Sequence, residues 1–310
     1  MKSMSVAELK QASAAAHPAP AHADLPADPA LDHAEFTLES VDTPDAGRIE
    51  VMRPARAEFR SAPEHAPIVI CVPGLGMDAN SFVRQLPLGA RAHLHCLRYP
   101  AQSVKGEARL SHFARYVEAY VHARNLHQHP GGVVLLGTSM GGAVSQTVAL
   151  RKRINLRGLV LVGTFGSARH VAGWQRLFAP AAWVIPFKWI IHGLLKPSFL
   201  MRTKGFGRYG DVDAKFMAQA VRIPSNYSFA RAAMGLTRLN LVPQLRELKV
   251  PTLIVHGTDD RVLPHAAAVE LAQAIPGSQL VTLRDASHSL FFLNHREVNH
   301  AVAAYLAELA

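Results

Sequence analysis

The chain has 310 residues, of which 49% are hydrophobic, so it is long enough to bury a large core as one domain with an insertion. Its formal net charge is +10, and its two cysteines, Cys71 and Cys96, are too few for a secreted disulfide framework. Both cysteines lie in apolar runs. We therefore expect two buried free thiols in a reducing compartment, with a bridge between them as the alternative.

The first 34 residues are rich in Ala, Pro and His and offer little apolar surface to bury. They contain no apolar stretch of the kind that a secretory signal needs, and we predict a disordered tail. The most apolar segment of the chain, residues 177–187, is interrupted by proline and is shorter than the ~18 residues that a membrane span requires. The expectation is a soluble, cytoplasmic protein.

The rest of the chain alternates between strand and helix patterns. It opens with a predicted hairpin at 36–42 and 48–54. Apolar runs then predict further strands at 67–74, 92–100, 132–139, 156–165, 250–257 and 278–285. Helical patterns occur at 111–126, 140–153 and 266–275, and an amphipathic helix closes the chain. This alternation predicts an α/β fold: a mostly parallel sheet with helices on both faces.

One segment interrupts the alternation. Residues 166–245 contain no convincing strand, and so long a stretch needs structure of its own in a compact domain. We predict an inserted helical cap there, with the core formed by residues 35–165 and 246–310. The cap contains all three tryptophans and an unusually apolar stretch. The candidate acyl-binding residues are Trp183, Phe187 and Ile191, and the alternative is that this stretch only packs the cap onto the core.

A glycine-flanked serine follows one of the predicted strands. Residues 137–141 read Gly-Thr-Ser-Met-Gly, a G-x-S-x-G motif that ends an apolar strand and begins a helix. The glycines permit a turn too tight for side chains, which would push the hydroxyl of Ser139 out above the sheet. The alternative is a plain helix N-cap, but capping does not require glycine on both sides. The motif predicts a nucleophile.

A serine nucleophile needs a base and a group that orients the base. His288 follows the last predicted strand in a loop of small residues, and Asp259 and Asp260 follow the strand before it. In a parallel sheet these strand ends meet at one edge, where ligands bind. Ser139, one of the two aspartates and His288 therefore form a candidate catalytic triad.

With these motifs the chain resembles serine hydrolases of the α/β-hydrolase fold over about residues 35–310. The resemblance implies that the acid lies three residues after Gly257, which is Asp260, with Asp259 as the alternative. It also implies an oxyanion hole formed by the backbone N–H groups of Leu75 and Met140. The family commonly has His-Gly where this chain has Pro73 and Gly74, so a side chain that often braces the loop is absent.

Other polar residues near these strands receive simpler interpretations. We interpret Asp285 as a solvated loop residue, and His256 and His265 as packing or surface residues. His93 and His95 lie on one face of a strand, which would permit a metal ion, but no third ligand is evident. The sequence predicts no metal and no cofactor.

The resemblance implies a hydrolase that cleaves the carboxylic ester bond of a small-molecule acyl substrate. The alternatives are an acyl-thioesterase or acyltransferase acting on acyl-CoA or acyl-carrier substrates, or a ligand sensor that retains the triad. Between 166 and 245 there are eleven Lys and Arg residues against two Asp. Their spread among bulky apolar residues does not predict nucleic-acid binding. We expect either a solvated basic face or a surface that meets an anionic carrier or lipid.

Overall fold

The structure is a computed structural model that describes residues 25–29, 31, 35–99, 110–171, 210–222 and 232–309. Most of the predicted tail and much of the predicted cap therefore lie outside the described residues.

An eight-stranded sheet organises the described residues, and its strand order is β1-β2-β4-β3-β5-β6-β7-β8. The strands are β1 (Phe36–Thr43), β2 (Gly47–Pro54), β3 (Ile68–Val72), β4 (His93–Arg98), β5 (Val133–Thr138), β6 (Leu156–Val162), β7 (Thr252–Gly257) and β8 (Gln279–Leu283). The β1–β2 and β2–β4 pairs are antiparallel, and every other neighbouring pair is parallel. The predicted fold, an α/β architecture with a mostly parallel sheet, is confirmed.

Helices connect the strands and cover the sheet. The α-helices with described bounds are α1 (Leu110–Ala123), α2 (Met140–Arg151), α3 (Asp211–Ala220), α4 (Val242–Leu245), α5 (Ala266–Ala274), α6 (Leu290–Leu293) and α7 (His295–Glu308). A long 3₁₀ helix, Ala79–Ala90, lies between β3 and β4, where no element is predicted from the sequence. It contains Pro87, which has no amide proton to donate. Of these α-helices, α3 and α4 lie in the predicted cap.

The central strands are apolar because both faces of the sheet are covered. Every residue of β3, β5 and β7 is buried, as expected for parallel strands between two layers of helix. By contrast, β1 lies at an edge, and its residues between Phe36 and Thr43 are exposed or half-buried. Cys71 and Cys96 are register partners on β3 and β4, and both are buried free thiols, as predicted.

The N-terminal segment makes contacts with α7. Asp28 forms ion pairs with His295 at 2.9 Å and with Arg296 at 2.7 Å. Leu25 and Leu31 pack against the core from the same segment. The tail as a whole stays a prediction. Among the residues that the structure describes, no helix is both long and apolar enough to cross a membrane.

Candidate active site

Ser139 lies in a sharp turn between β5 and α2. Its backbone has φ 51° and ψ −119°, a conformation that non-glycine residues rarely adopt and that costs about 1–3 kcal/mol. Two hydrogen bonds hold the turn: Ser139 N–H donates to Val162 O at 3.0 Å, and the Thr164 hydroxyl donates to Ser139 O at 2.6 Å. The strained serine is therefore held by Val162, the last residue of β6, and by Thr164, which lies two residues beyond it.

Glycine is required on both sides of this turn because other backbone atoms lie so close. A β-carbon on Gly137 would lie 2.4 Å from the Gly141 oxygen, and one on Gly141 would lie 2.0 Å from the Val72 oxygen. Both distances are shorter than any real β-carbon contact. The G-x-S-x-G spacing thus follows from the packing of β5, α2 and β3.

His288 and Asp260 extend from Ser139 in one chain of hydrogen bonds. The Ser139 Oγ lies 3.1 Å from His288 Nε2, and His288 Nδ1 lies 2.7 Å from Asp260 Oδ2. His288 follows β8 and Asp260 follows β7, so the three side chains meet at the carboxyl edge of the sheet. His288 and Asp260 are almost wholly buried, whereas Ser139 is partly exposed.

The Asp260 carboxylate is held by several donors. Its Oδ1 accepts from the backbone N–H groups of Val262 at 2.9 Å and Leu263 at 2.8 Å, while Oδ2 accepts from His288. Burial by itself raises the pKa of Asp260, but the charge and hydrogen bond of His288 outweigh it, together with His256 and the Leu263 amide, so the pKa lies below its usual value. Asp260 is thus an anion near neutral pH.

His256, a second histidine, contacts the same carboxylate. Its Nε2 lies 2.9 Å from the Leu263 oxygen and 3.4 Å from Asp260 Oδ2, and the side chain is fully buried on β7. Burial lowers the pKa of His256 to about 4, although the Asp260 carboxylate acts in the opposite direction. From the sequence we expected this residue to be a packing or surface residue. Its place in an otherwise apolar buried strand, four residues before Asp260, was the available signal.

The loop that we call the oxyanion loop, residues 73–78, follows β3 and lies beside the serine. A β-carbon on Gly74 would lie 3.5 Å from the Ser139 Cβ, so the backbone of the loop contacts the turn. Met140 is the first residue of α2, where helix N–H groups point toward the turn. Leu75 and Met140, the predicted oxyanion donors, therefore flank Ser139.

The structure separates the two candidate acids. Asp259 is exposed, and its carboxylate pairs with Arg261 at 3.2 Å rather than with His288. Asp285 is exposed as well, and its backbone N–H donates to the Thr258 hydroxyl at 2.8 Å. Of the aspartates near the end of the chain, it is Asp260 that contacts His288.

Several other candidates have defined positions or lie outside the described residues. His95 is buried and its Nδ1 lies 2.6 Å from the Tyr120 hydroxyl, while His93 contacts backbone carbonyls of residues 63 and 64. Among the described residues no group of three or more metal-ligating side chains occurs. The candidate acyl-binding residues Trp183, Phe187 and Ile191 lie in the part of the cap that is not described.

The described part of the cap carries few of its basic side chains. Arg169 pairs with Glu270 of α5, and Arg222 pairs with Asp78 at 3.4 Å, so both meet carboxylates of the core. Arg238 is exposed. The charges of the first two are locally compensated, and a basic surface on the cap would have to come from other residues.

The chain matches a protein family model and is similar to several known proteins. A model described as "Alpha/beta hydrolase family" matches residues 69–302. The polyketide synthase ThaQ of Burkholderia thailandensis is 27% identical over 294 residues, which is 88% of this chain but only 13% of the synthase. The chain thus spans a small part of that relative's length.

Two further proteins are similar over most of their length. The monoacylglycerol lipase ABHD6 of Rattus norvegicus is 27% identical over 271 residues, which is 81% of this chain and 78% of the lipase. A thermophilic esterase from Thermogutta terrifontis, known by structure, has a TM-score of 0.69 at 20% identity. That alignment covers 88% of this chain and 99% of the esterase. At this identity the structural likeness concerns the fold.

Proposed function

The chain belongs to the alpha/beta hydrolase family, and from that premise we propose that it is a serine hydrolase that cleaves a carboxylic ester through an acyl-enzyme intermediate. The observation that carries the proposal is the continuous contact from Ser139 Oγ through His288 to Asp260, at 3.1 and 2.7 Å. The similarity to a monoacylglycerol lipase over 81% of the chain supports an ester as the substrate.

In this mechanism Ser139 Oγ attacks the carbonyl carbon of the ester, and its proton passes to His288 Nε2. The carbonyl electron pair moves onto the oxygen, which gives a tetrahedral oxyanion. The His288 Nδ1–H donates a hydrogen bond to the Asp260 carboxylate. This bond fixes the tautomer in which Nε2 is the base, and the carboxylate stabilises the imidazolium that forms. His288 then returns the proton to the leaving alcohol. Water repeats these steps on the acyl-enzyme and regenerates Ser139.

The oxyanion is stabilised by the N–H groups of Leu75 and Met140. Donors of this kind act where charge develops in the transition state, and loss of one such donor lowers kcat by about 10²–10³-fold. The N-terminus of α2 adds its positive end at the same point, because Met140 is its first residue. We place an apolar acyl group under the cap, near Trp183, Phe187 and Ile191.

Hydrolysis of a short p-nitrophenyl ester tests the proposal. We expect turnover by the wild type, labelling of Ser139 by an alkyl fluorophosphonate, and loss of both in Ser139→Ala. The control is Ser61→Ala. Ser61 is exposed and far from Ser139 in the sequence, so this variant should retain full activity. Loss of a triad member costs several orders of magnitude in rate, so more than ~10% residual activity in Ser139→Ala contradicts the assignment. A wild type that binds the ester without turnover would indicate a ligand sensor.

A second candidate is hydrolysis or transfer of an acyl thioester. The observation that favours it is the similarity of 88% of this chain to part of a polyketide synthase, since polyketides are acyl chains and the same triad attacks thioesters. The basic cap would then meet an anionic carrier such as coenzyme A or a phosphopantetheine arm. Comparison of kcat/KM for an acyl-CoA and for the p-nitrophenyl ester of the same acyl chain separates the two candidates.

A further inference from the structure

The oxyanion loop is joined to a described part of the predicted cap, residues 210–222, which we call the cap segment. An isolated antiparallel bridge forms where the chain leaves α3. In it, Arg222 N–H donates to Gly76 O at 2.7 Å, and Asp78 N–H donates to Ala220 O at 2.7 Å. Two backbone hydrogen bonds therefore link the loop to the cap segment.

Next to this bridge a buried carboxylate lies between two arginines. Asp78 Oδ2 accepts from Arg98 Nε at 2.8 Å, on the β4 side, and lies 3.4 Å from Arg222 Nη1, on the cap side. Its other oxygen accepts from Asn80 N–H at 3.3 Å at the start of the 3₁₀ helix. Glu50 Oε2 lies 3.7 Å from a guanidinium nitrogen of each arginine, so two cations face two anions. The Asp78 side chain is only 4% exposed, which makes its charge costly to leave unpaired.

The cap segment is itself anchored in the core. Phe216 of α3 is buried and stacks on Phe292 with ring centroids 6.2 Å apart. On the neighbouring turn, Asp213 pairs with Arg84 of the 3₁₀ helix at 3.1 Å. The bridge to the oxyanion loop therefore starts from a helix that packs against the core. The position of this helix thus determines where the bridge holds the loop.

The conformation of the loop decides where the predicted donor points. Met77 N–H donates to Gly74 O at 3.2 Å, so the Gly74 carbonyl is turned into the loop. The described chain has no cis peptide bond, and in a trans peptide the C=O and N–H point in opposite directions. The N–H of Leu75, in the same peptide unit, is therefore directed away from Met77. Movement of residues 76–78 would rotate this unit and misalign the donor.

We propose that the side chain of Arg222 positions the oxyanion hole: its guanidinium holds Asp78 from the cap side, beside the backbone bond from Arg222 N–H to Gly76 O, and so fixes the direction of the Leu75 N–H. The proposal rests on the serine-hydrolase function proposed above. It makes stabilisation of the oxyanion depend on the docking of the cap segment, although the described contacts of Arg222 are with Asp78, Glu50 and Gly76. Removal of its side chain affects the transition state more than substrate binding.

The test compares Arg222→Met and Arg222→Lys with Arg246→Met, an exposed arginine outside the cap, as the control. For each protein we measure kcat and KM with a neutral p-nitrophenyl ester, the thermal midpoint, and the inhibition constant of an alkyl trifluoromethyl ketone. Ser139 Oγ adds to the carbonyl carbon of this ketone while its proton passes to His288, and the resulting oxyanion occupies the hole. The ketone thus reports on the hole itself.

We expect Arg222→Met to lower kcat by about 10–100-fold, less than loss of a donor, and to weaken the ketone by the same factor with KM changed less than about 3-fold. Arg222→Lys, which keeps the charge, should recover part of both, and Arg246→Met should match the wild type. Should Arg222→Met fail to fold, Arg222→Gln takes its place in the comparison.

Two results would overturn the proposal. One is a kcat in Arg222→Met within 2-fold of the Arg246→Met value. The other is a lower kcat or thermal midpoint with unchanged ketone affinity, which is the signature of a purely structural role. A wild type that neither hydrolyses the ester nor binds the ketone would refute the proposed function and this proposal with it. An active wild type with an insensitive Arg222 refutes the positioning role alone.

Discussion

His256 should make the stability of the protein depend on pH in a defined window. The side chain is fully buried, and the ionisable groups that face it are Asp260, His288 and His265. Burial holds the pKa of His256 at about 4, against 6.5 for an unperturbed histidine. Asp260 remains ionised through this range because its pKa is lowered from 3.8. Acidification therefore offers His256 a proton that the unfolded chain binds more readily than the folded one.

The sign and size of the effect follow from proton linkage. A group whose folded pKa is lower than its unfolded pKa leaves stability intact above the unfolded value and reduces it as the pH falls toward the folded value. The window for His256 thus runs from about pH 6.5 down to about pH 4. Over that window the full loss is about 3 kcal/mol, of which about 2 kcal/mol has been lost at pH 5.

Urea unfolding followed by far-ultraviolet circular dichroism measures this loss at pH 7.5 and pH 5. Other histidines with lowered pKa values, among them His95 and His265, add to the total for the wild type. The informative quantity is therefore the difference from His256→Gln, whose amide can still donate to the Leu263 oxygen. We expect the variant to lose about 2 kcal/mol less than the wild type between the two pH values.

An exposed histidine provides the control: His127→Gln should follow the wild-type curve. Equal losses in the wild type and in His256→Gln would show that His256 is not the buried neutral group that the geometry implies, and that its burial does not lower its pKa.

Three further predictions concern the site and the cap. Asp260→Asn should lower kcat by about 10⁴-fold, as loss of the tautomer-fixing carboxylate does in the Ser-His-Asp triad of serine proteases, whereas Asp259→Asn should change kcat little. The reverse ranking would show that the acid is Asp259. The kcat/KM of an anionic acyl substrate should fall steeply as salt rises to about 0.1 M, and equal slopes for a neutral ester of the same chain length would refute a basic docking surface. Medium-chain acyl ligands should perturb the tryptophan emission, since all three tryptophans fall in the predicted cap, and an unchanged spectrum at saturation would favour plain packing.

The sheet and the serine turn could be predicted from sequence because their signals are local. Buried parallel strands such as β5 are continuous apolar runs, and the glycines around Ser139 are needed where backbone atoms lie within 2.4 Å of a would-be β-carbon. The choice of Asp260 over Asp259 came only from the family spacing. Two adjacent aspartates in a loop look alike in sequence, and what distinguishes them is that one carboxylate is buried among donors and the other pairs with Arg261 in solvent.

Contacts between distant segments could not be predicted in this way. Arg222 is 144 residues from Asp78, and a basic residue in a basic segment gives no sign of a particular carboxylate partner. The 3₁₀ helix at Ala79–Ala90 was missed for a different reason. Its core residues Ala79, Phe82, Val83 and Leu86 do have the i, i+3, i+4, i+7 spacing of a helix, but Pro87 and Gly89 interrupt that repeat after about two turns and favour a loop interpretation.

The cap-side contact also bears on Pro73 of the oxyanion loop. The resemblance leads us to expect a histidine at this position, and proline offers no side-chain hydrogen bond with which to brace the loop. In this chain the loop is instead held at its other end, by Asp78 between Arg98 and Arg222 and by the backbone bridge at Gly76. One of those braces belongs to the cap segment, so in the proposed positioning role docking of that segment and formation of the proposed oxyanion hole are parts of one event. We therefore expect disturbance of the cap to lower kcat even for esters too short to contact it.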